Sequence, residues 1–347
     1  IASLKERGIR TGLIFTPFVN KRNDWLKKIA LQALVGNVTP GEFRADERPL
    51  DLYAEGLNNG YFAHPNATWW FGGGGMIDFT NPAARRWWDD LLKPLYDQGV
   101  AFFKNDDGEY LPGDAKTHNG MDGSEAHNPY GFYYSRAIYE GMQALDDRRA
   151  MIYARSVWAG SQRYPAIFLG DQKPTYTDMQ RTIRAGLNMS LAGFSYWTAD
   201  TFGLDGKTNP ETHMRGLQIG ILSPVMRYFL RPPSVDSTRF PWAHGEQAEA
   251  NFKRHLELRY RLLPYFQTLA WQAYLTGCPI ARPLFLEFPD DAGMLDCEDQ
   301  LMLGPALMAA PVLAAGARKR MVRFPAGDWY HYWSGKHYQG PGIFEVP

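Results

Sequence analysis

Cysteine is scarce in this chain: two residues, Cys278 and Cys297, out of 347. Their spacing suits no metal cluster, and two lone thiols leave the redox compartment undecided. An excess of charge of either sign is also missing. Thirty-seven basic and 37 acidic residues cancel, and the sequence pI is about 7.2. Such a balance gives no basic footprint for nucleic acid or for an anionic membrane surface. No apolar run approaches the roughly 20 residues that cross a bilayer. No basic start followed by an apolar stretch marks a signal peptide. The chain opens IASLKERGIRTG, which reads as a helix already under way and leaving at Gly8. The expectation is a piece of a longer chain, with its compartment open. Repeats and low-complexity segments are absent. The glycine run 72–75 lacks the Lys-Ser/Thr of a phosphate loop and leads into a strand, not a helix. No cofactor is implied.

What the chain has is aromatic mass and a steady alternation of elements. Aromatics make up 14% of residues, with 11 Trp; large flat rings line sugar sites but are also core material. Apolar runs at 10–18, 76–79, 100–105, 150–154, 166–169, 193–197 and 221–229 read as strands. Helical spacing falls at 23–35, 82–98, 129–145, 175–191, 210–220 and 246–276, with Asn81-Pro82 a start signal for the second of these. Six strands with following helices argue for a parallel sheet of βα units. The closed form of that alternation has eight strands. The fold class expected is therefore α/β, a (β/α)8 TIM barrel truncated at its N-terminus, over residues 1–277. Residues 36–75 read as a long Gly-, Pro- and Trp-rich loop of the kind that carries function. After Gly277 short apolar runs between turns predict a small antiparallel β-sandwich over 278–347.

The stretch AFFKNDDGE, residues 101–109, draws the most chemistry into the fewest residues. An apolar strand ends abruptly in Lys104, Asn105, Asp106, Asp107, Gly108 and Glu109. Carboxylates at the carboxyl end of a barrel strand sit where ligands of such folds bind. The plain alternative is an acidic turn with Gly108 at positive φ. Two further strand ends present polar groups, Arg155 and Asp171, and in a barrel all three share one rim. Two carboxylates across a sugar-sized gap are what glycoside cleavage requires: one attacks the anomeric centre, the other protonates the leaving oxygen. Arg155 would hold a carboxylate ionised or grip a hydroxyl. Lys104, on the same strand face as Asp106, would keep it charged. Trp69 and Trp70 read as pocket walls or as packing, Trp87 and Trp88 as core, and His118 and His127 as loop histidines. A Mg or Ca site on Asp106, Asp107 and Glu109 is a further reading, with no His near them in sequence.

These residues carry a family likeness. FFKNDDGE resembles the nucleophile strand of glycoside hydrolase family 31, commonly Phe-Lys-Thr-Asp-Phe-Gly-Glu. ARSVWAGSQRYPAIFLGD resembles the family's acid/base segment, and GFSYWTAD a segment near its site. MIDFTNPAARRWW, RYRLLPYFQTLA and PAGDWYHYWSGKHYQG resemble further landmarks in the family's order. The likeness runs from about residue 10 to the end. It implies an exo-acting retaining α-glycosidase, with Asp106 as nucleophile, Asp171 as acid/base and Arg155 in subsite −1. It also implies Trp197 and Asp200 beside the site, and transglycosylation as a side reaction. The alternative is a sugar-binding relative without catalysis. The implied partner is an oligosaccharide or glycoside, and family members are often homo-oligomers. Two positions depart from the pattern, Asn105 for Thr and Asp107 for Phe. The family's His after an Arg near the last strand is also missing: Met226-Arg227 runs into Tyr228, Phe229 and Leu230. The sugar therefore stays open among glucosides, xylosides, galactosides, N-acetylgalactosaminides and sulfoquinovosides. The geometric expectation is that the carboxylates of Asp106 and Asp171 converge to roughly 5–6 Å.

Overall fold

The computed structural model describes residues 1–21, 51–70, 72–145, 149–200, 203, 206–228 and 240–347. They form two compact units, Ile1–Phe168 and Leu169–Pro347.

In the first unit a short helix α1 (Ala2–Glu6) precedes strands β1 (Thr11–Phe15) and β2 (Phe18–Asn20), parted at Pro17. Helix α2 (Leu52–Asn58), β3 (Phe62–Trp69) and β4 (Gly72–Ile77) follow, then α3 (Pro82–Asp97) and β5 (Val100–Asn105). Helices α4 (Gly123–Ala126) and α5 (Tyr130–Leu145) lead to β6 (Ile152–Ala154) and β7 (Ile167–Phe168). Strands β1, β5, β6 and β7 lie side by side, with every pairing parallel. Parallel neighbours need a covered crossover, and α3 and α5 supply it. Asn81 caps α3, its side chain accepting from Ala83 N at 2.9 Å, and Pro82 opens the first turn. The face carrying Ala84, Trp87, Trp88, Leu92 and Tyr96 is buried. From α5, Tyr134 stacks on Phe79 with centroids 5.0 Å apart, and Phe15 meets Phe103 at 5.2 Å.

Two readings of this half need correction. The run 76–79 is not a barrel strand. Met76 and Ile77 end β4, which pairs antiparallel with β2 on one side and β3 on the other, and Asp78 and Phe79 lie beyond it. So short a run, Met-Ile-Asp-Phe, does not announce its partner, and the glycines before it decide it. A Cβ on Gly74 would lie 2.0 Å from the Val19 carbonyl oxygen, so only a bare backbone closes this ladder. The stretch 36–75, read as one loop, holds α2, β3 and the start of β4 among its described residues. The helix expected at 23–35 falls outside the described residues.

In the second unit, α6 (Tyr176–Leu191) starts at Thr175, whose hydroxyl accepts from Asp178 N. β8 (Trp197–Thr198) follows, then α7 (Pro210–Leu222) with an Asn209/Thr212 capping box. The long α8 (Glu246–Thr276) ends at Gly277 in the left-handed region. Beyond it β9 (Ala281–Arg282), β10 (Leu301–Leu303) and β11 (Leu307–Ala309) make an antiparallel sheet. A short helix α9 (Leu284–Glu287) lies between β9 and β10, and β12 (Arg320–Tyr330) pairs with β13 (His337–Val346) as a hairpin. The strand expected at 221–229 does not form among the described residues. The chain leaves α7 irregularly, and the buried Arg259 of α8 ties it down, donating to the carbonyls of Ile221, Ser223 and Pro224 at 2.8–2.9 Å.

One feature of the first unit sets a pH dependence of stability. The Asp89 carboxylate on α3 lies against the bare backbone of Gly141 on α5. Burial pushes its pKa up to about 6, against a lowering pull from Arg85 and a raising push from Asp90. A carboxyl that binds its proton more tightly when folded stabilises the fold at acid pH and loses that contribution as pH rises between about 4 and 6. Asp89→Asn should therefore raise Tm by a few degrees at pH 7.5 and leave it unchanged at pH 4, as read by thermal unfolding at both pH values.

Candidate active site

The site in the first unit begins where β5 stops. Val100, Phe103 and Asn105 of the strand are buried, and from Phe103 to Asn105 the backbone is in register with both β1 and β6. Asp106 N then donates to Phe15 O at 2.9 Å, and Arg155 N to Asn105 O at 2.9 Å. The two strand ends therefore hold their polar residues at a common height. The Tyr134 hydroxyl reaches across from α5 to the carbonyls of Phe15 and Asp106 at 3.3 and 3.4 Å, linking the crossover helix to both strand ends.

Asp106 is buried, with Lys104 Nζ 3.0 Å from its Oδ2 and Arg155 Nη1 3.6 Å from its Oδ1. Arg155 also faces Asp107 Oδ1 at 3.4 Å, and its Nη2 meets Glu109 Oε1 at 2.5 Å. Three carboxylates thus share two fixed cations. Among the described residues no group of three His, Cys, Asp or Glu side chains is arranged to hold a metal ion. The countercharge that a Mg or Ca ion would bring to this trio is carried by Lys104 and Arg155.

Asp107 occupies an unusual backbone position, φ +57°, which few side chains accept. Its Oδ1 accepts the indole N–H of Trp70 at 3.0 Å, and its carbonyl accepts from Ser156 Oγ at 2.8 Å. Burial, first, and the neighbouring Asp106 charge push its carboxyl up to about 6, against the lowering pull of Trp70 and Arg155. Gly108 follows at φ +100°, where a Cβ would also strike Ser156 Oγ. The turn therefore needs glycine there on both counts.

Trp70 and Trp69 divide the two roles read for them. Trp69 stacks on Phe18 at 5.1 Å and bonds Asn20 through its indole, so it packs. Trp70 is 62% exposed while its N–H is held by Asp107. Trp87 and Trp88 are core, and His118 and His127 are exposed in the loop after β5.

The second unit carries the other sequence-marked residues. Asp171 follows Gly170 (φ +93°) and is exposed. Its loop is tied to the end of β8: Leu169 N donates to Thr198 O at 2.9 Å, and Gln172 bridges from Leu169 O to Asp200 N at 3.1 and 2.8 Å. Asp200 is buried and paired with Arg227, Nη1 to Oδ1 2.8 Å. Arg227 and Gln172 are partners that sequence reasoning did not assign. The Arg was visible beside the last strand, but nothing local marked the Gln. Trp197, read as lying beside the site, is 2% exposed; its indole lies against Gly186 of α6 and its N–H is donated to Ser190 Oγ at 2.8 Å. An aromatic at a strand end has two faces to choose from, and Gly186 opens the helix side to it.

Comparison with known proteins places this geometry. A profile described as the Glycosyl hydrolases family 31 TIM-barrel domain matches residues 1–269, and one described as the Glycosyl hydrolase family 31 C-terminal domain matches residues 277–347. The chain is 30% identical to "Alpha-glucosidase 2" of Bacillus thermoamyloliquefaciens, over 98% of its own length and 42% of that protein's. A crystal structure of a GH31 alpha-xylosidase from a soil metagenome, complexed with xylose, superposes with TM-score 0.83 at 31% identity. That match covers 99% of this chain and 52% of the other. A cycloalternan-degrading enzyme from Trueperella pyogenes, in complex with a covalent intermediate, superposes with TM-score 0.86 at 26% identity, covering all of this chain and 47% of that one. The chain spans about half the length of these relatives or less. Nearly the whole of it is accounted for by the barrel and C-terminal profiles, and it belongs to glycosyl hydrolase family 31.

Proposed function

We propose that this chain carries the catalytic machinery of an exo-acting retaining α-glycosidase. The observation that carries the reading is Asp106, a buried carboxylate at the end of a parallel strand with Lys104 on one oxygen and Arg155 near the other. A carboxylate set between two cations at a strand end is placed to act as a nucleophile. The relatives support the same reading, since two are an alpha-glucosidase and an alpha-xylosidase by name and a third is described with a covalent intermediate.

In the reaction, Asp106 attacks the anomeric carbon of a terminal α-linked sugar. The bond to the leaving oxygen breaks as Asp171 gives that oxygen its proton. The product left on the protein is a glycosyl ester. Asp171, now a carboxylate, takes a proton from water, the water oxygen bonds the anomeric carbon, and Asp106 is released. Two displacements at one carbon restore its configuration. A second sugar in place of water gives transglycosylation. The carboxyl groups of Asp106 and Asp171 are expected roughly 5–6 Å apart for this double displacement. On this reading Lys104, Arg155 and Asp107 serve the sugar beside the nucleophile with Trp70 as a wall, and Asp200, held by Arg227, is a further sugar-binding residue. An oligosaccharide or glycoside with a terminal α-linked glucose, xylose or related sugar is the substrate class.

Two measurements test the assignment. Asp106→Ala should lower kcat on nitrophenyl α-glycosides by at least about 10⁴-fold in a correctly folded protein. Near-normal turnover would remove Asp106 from the mechanism, and an inverted first-formed anomer by proton NMR would remove the covalent step. Asp171→Ala should lose about 10²–10⁴-fold on alkyl or sugar leaving groups, which need a proton. It should lose far less in the first displacement on activated aryl glycosides, which do not. Equal losses on both classes would take the acid role away from Asp171.

A further inference from the structure

The two cations beside Asp106 are not equivalent, and the difference bears on the second displacement. Arg155 Nη1 lies 3.6 Å from Asp106 Oδ1, and the same guanidinium also faces Asp107 at 3.4 Å and Glu109 at 2.5 Å. Lys104 Nζ lies 3.0 Å from Asp106 Oδ2, and among the described residues no other carboxylate stands within ion-pair distance of it. The Lys104 side chain is only 13% exposed, and its ammonium stands 4.8 Å from the centre of the Phe168 ring. Little water therefore reaches that charge.

Forming the glycosyl ester affects the two cations differently. The ester neutralises Asp106, because an electron pair of one carboxylate oxygen now bonds the anomeric carbon. Arg155 keeps two anionic partners, Asp107 and Glu109. Lys104 keeps none among the described residues. A largely buried ammonium stripped of its counterion is costly, and the face of Phe168 makes up only part of the loss. The ester is therefore raised in free energy relative to the free carboxylate, and Lys104 is the main cause.

We propose that Lys104 drives breakdown of the glycosyl ester: its ammonium, left without a counterion in the covalent intermediate, regains one as the Asp106 carboxylate departs. In that step the water oxygen bonds the anomeric carbon and the water proton passes to Asp171. The bond from the anomeric carbon to Asp106 breaks, and its electron pair returns to the carboxylate. Negative charge thus grows beside an ammonium that sits 3.0 Å from Oδ2 in the free site. The attraction is stronger in the transition state of this step than in the ester, which is the condition for acceleration.

In the first displacement the same charge is lost, so there the ammonium opposes ester formation. A neutral residue at position 104 should therefore act on the two steps unequally: the ester forms readily and leaves slowly. The proposal rests on the retaining reading above for the existence of the ester. What it adds is a division of labour, in which Lys104 keeps the covalent state short-lived while Arg155 holds the rest of the carboxylate cluster.

The test uses the full chain, the variants Lys104→Met and Lys104→Gln, and a 5-fluoro-α-glycosyl fluoride of the sugar that the parent turns over. Such a reagent forms the ester and slows its loss, so formation and breakdown can each be followed by the mass of the protein. Both variants should form the ester within about threefold of the parent's rate and lose it at least about tenfold more slowly. On an aryl α-glycoside kcat and KM should fall together, after a burst of released aryl alcohol. Gln still offers a hydrogen bond, so ester loss at the parent's rate in Lys104→Gln would show that the charge is not what acts, and would overturn the proposal. Formation and breakdown slowed equally in both variants would reduce Lys104 to a support for Asp106 and overturn it as well, with the retaining reading intact. A parent that turns over its substrate yet never forms an ester would remove the retaining mechanism itself, and the role of Lys104 with it.

Discussion

The charge on Asp106 is what the rest of the first unit is built to manage. A carboxylate taken out of water loses its hydration, and in a buried position it returns to the neutral acid unless cations or donors replace that hydration. Lys104 does so from two residues back on the same strand face, and Arg155 from the neighbouring strand. Both depend on the parallel register. If β5 and β6 slipped by one residue, Lys104 or Arg155 would turn to the opposite face. The crossover helices, the aromatic cluster of Phe15, Phe79, Phe103 and Tyr134, and the tyrosine hydroxyl on two strand-end carbonyls all serve that alignment.

Arg155 has the widest role in the cluster. It faces Asp106, Asp107 and Glu109 at once. A guanidinium offers five N–H donors in a fixed plane and can serve three acceptors without losing its own shape, which an ammonium cannot. Lys104, a point charge, serves one carboxylate only. The division keeps the two carboxylate oxygens of Asp106 in different surroundings, Oδ2 close to an ammonium at 3.0 Å and Oδ1 buried, 3.6 Å from a guanidinium nitrogen.

The parts of this arrangement that could be read from the residues are those encoded locally. β5 and its polar tail were visible because an apolar run stops where the carboxylates begin. The long helices were visible through caps such as Asn81-Pro82 and through their apolar spacing. What escaped the sequence was encoded by partners far along the chain. Met76 and Ile77 looked like any short buried strand, and only the fit of Gly74 against Val19 assigns them to an antiparallel sheet. Trp197 carried no mark of which way its ring turns, and the space left by Gly186 settles it. Asp107 was noticeable as a departure from a pattern. Its bond to a tryptophan 37 positions earlier is a fact of topology, not of the local sequence.

The glycine-closed ladder of β2, β4 and β3 has a bearing on how a site of this kind diversifies. Trp70 is carried by this sheet, while Lys104, Asp106 and Arg155 belong to the parallel one. The reactive strand ends can therefore keep their register while the excursion that supplies the wall changes in length or sequence. Tolerance within the excursion is uneven, because any side chain at Gly74 would prise its strands apart. Change in sequence is thus channelled toward the rim of the excursion and away from the glycines that close its strands, so one set of strand ends can be fitted with different rims.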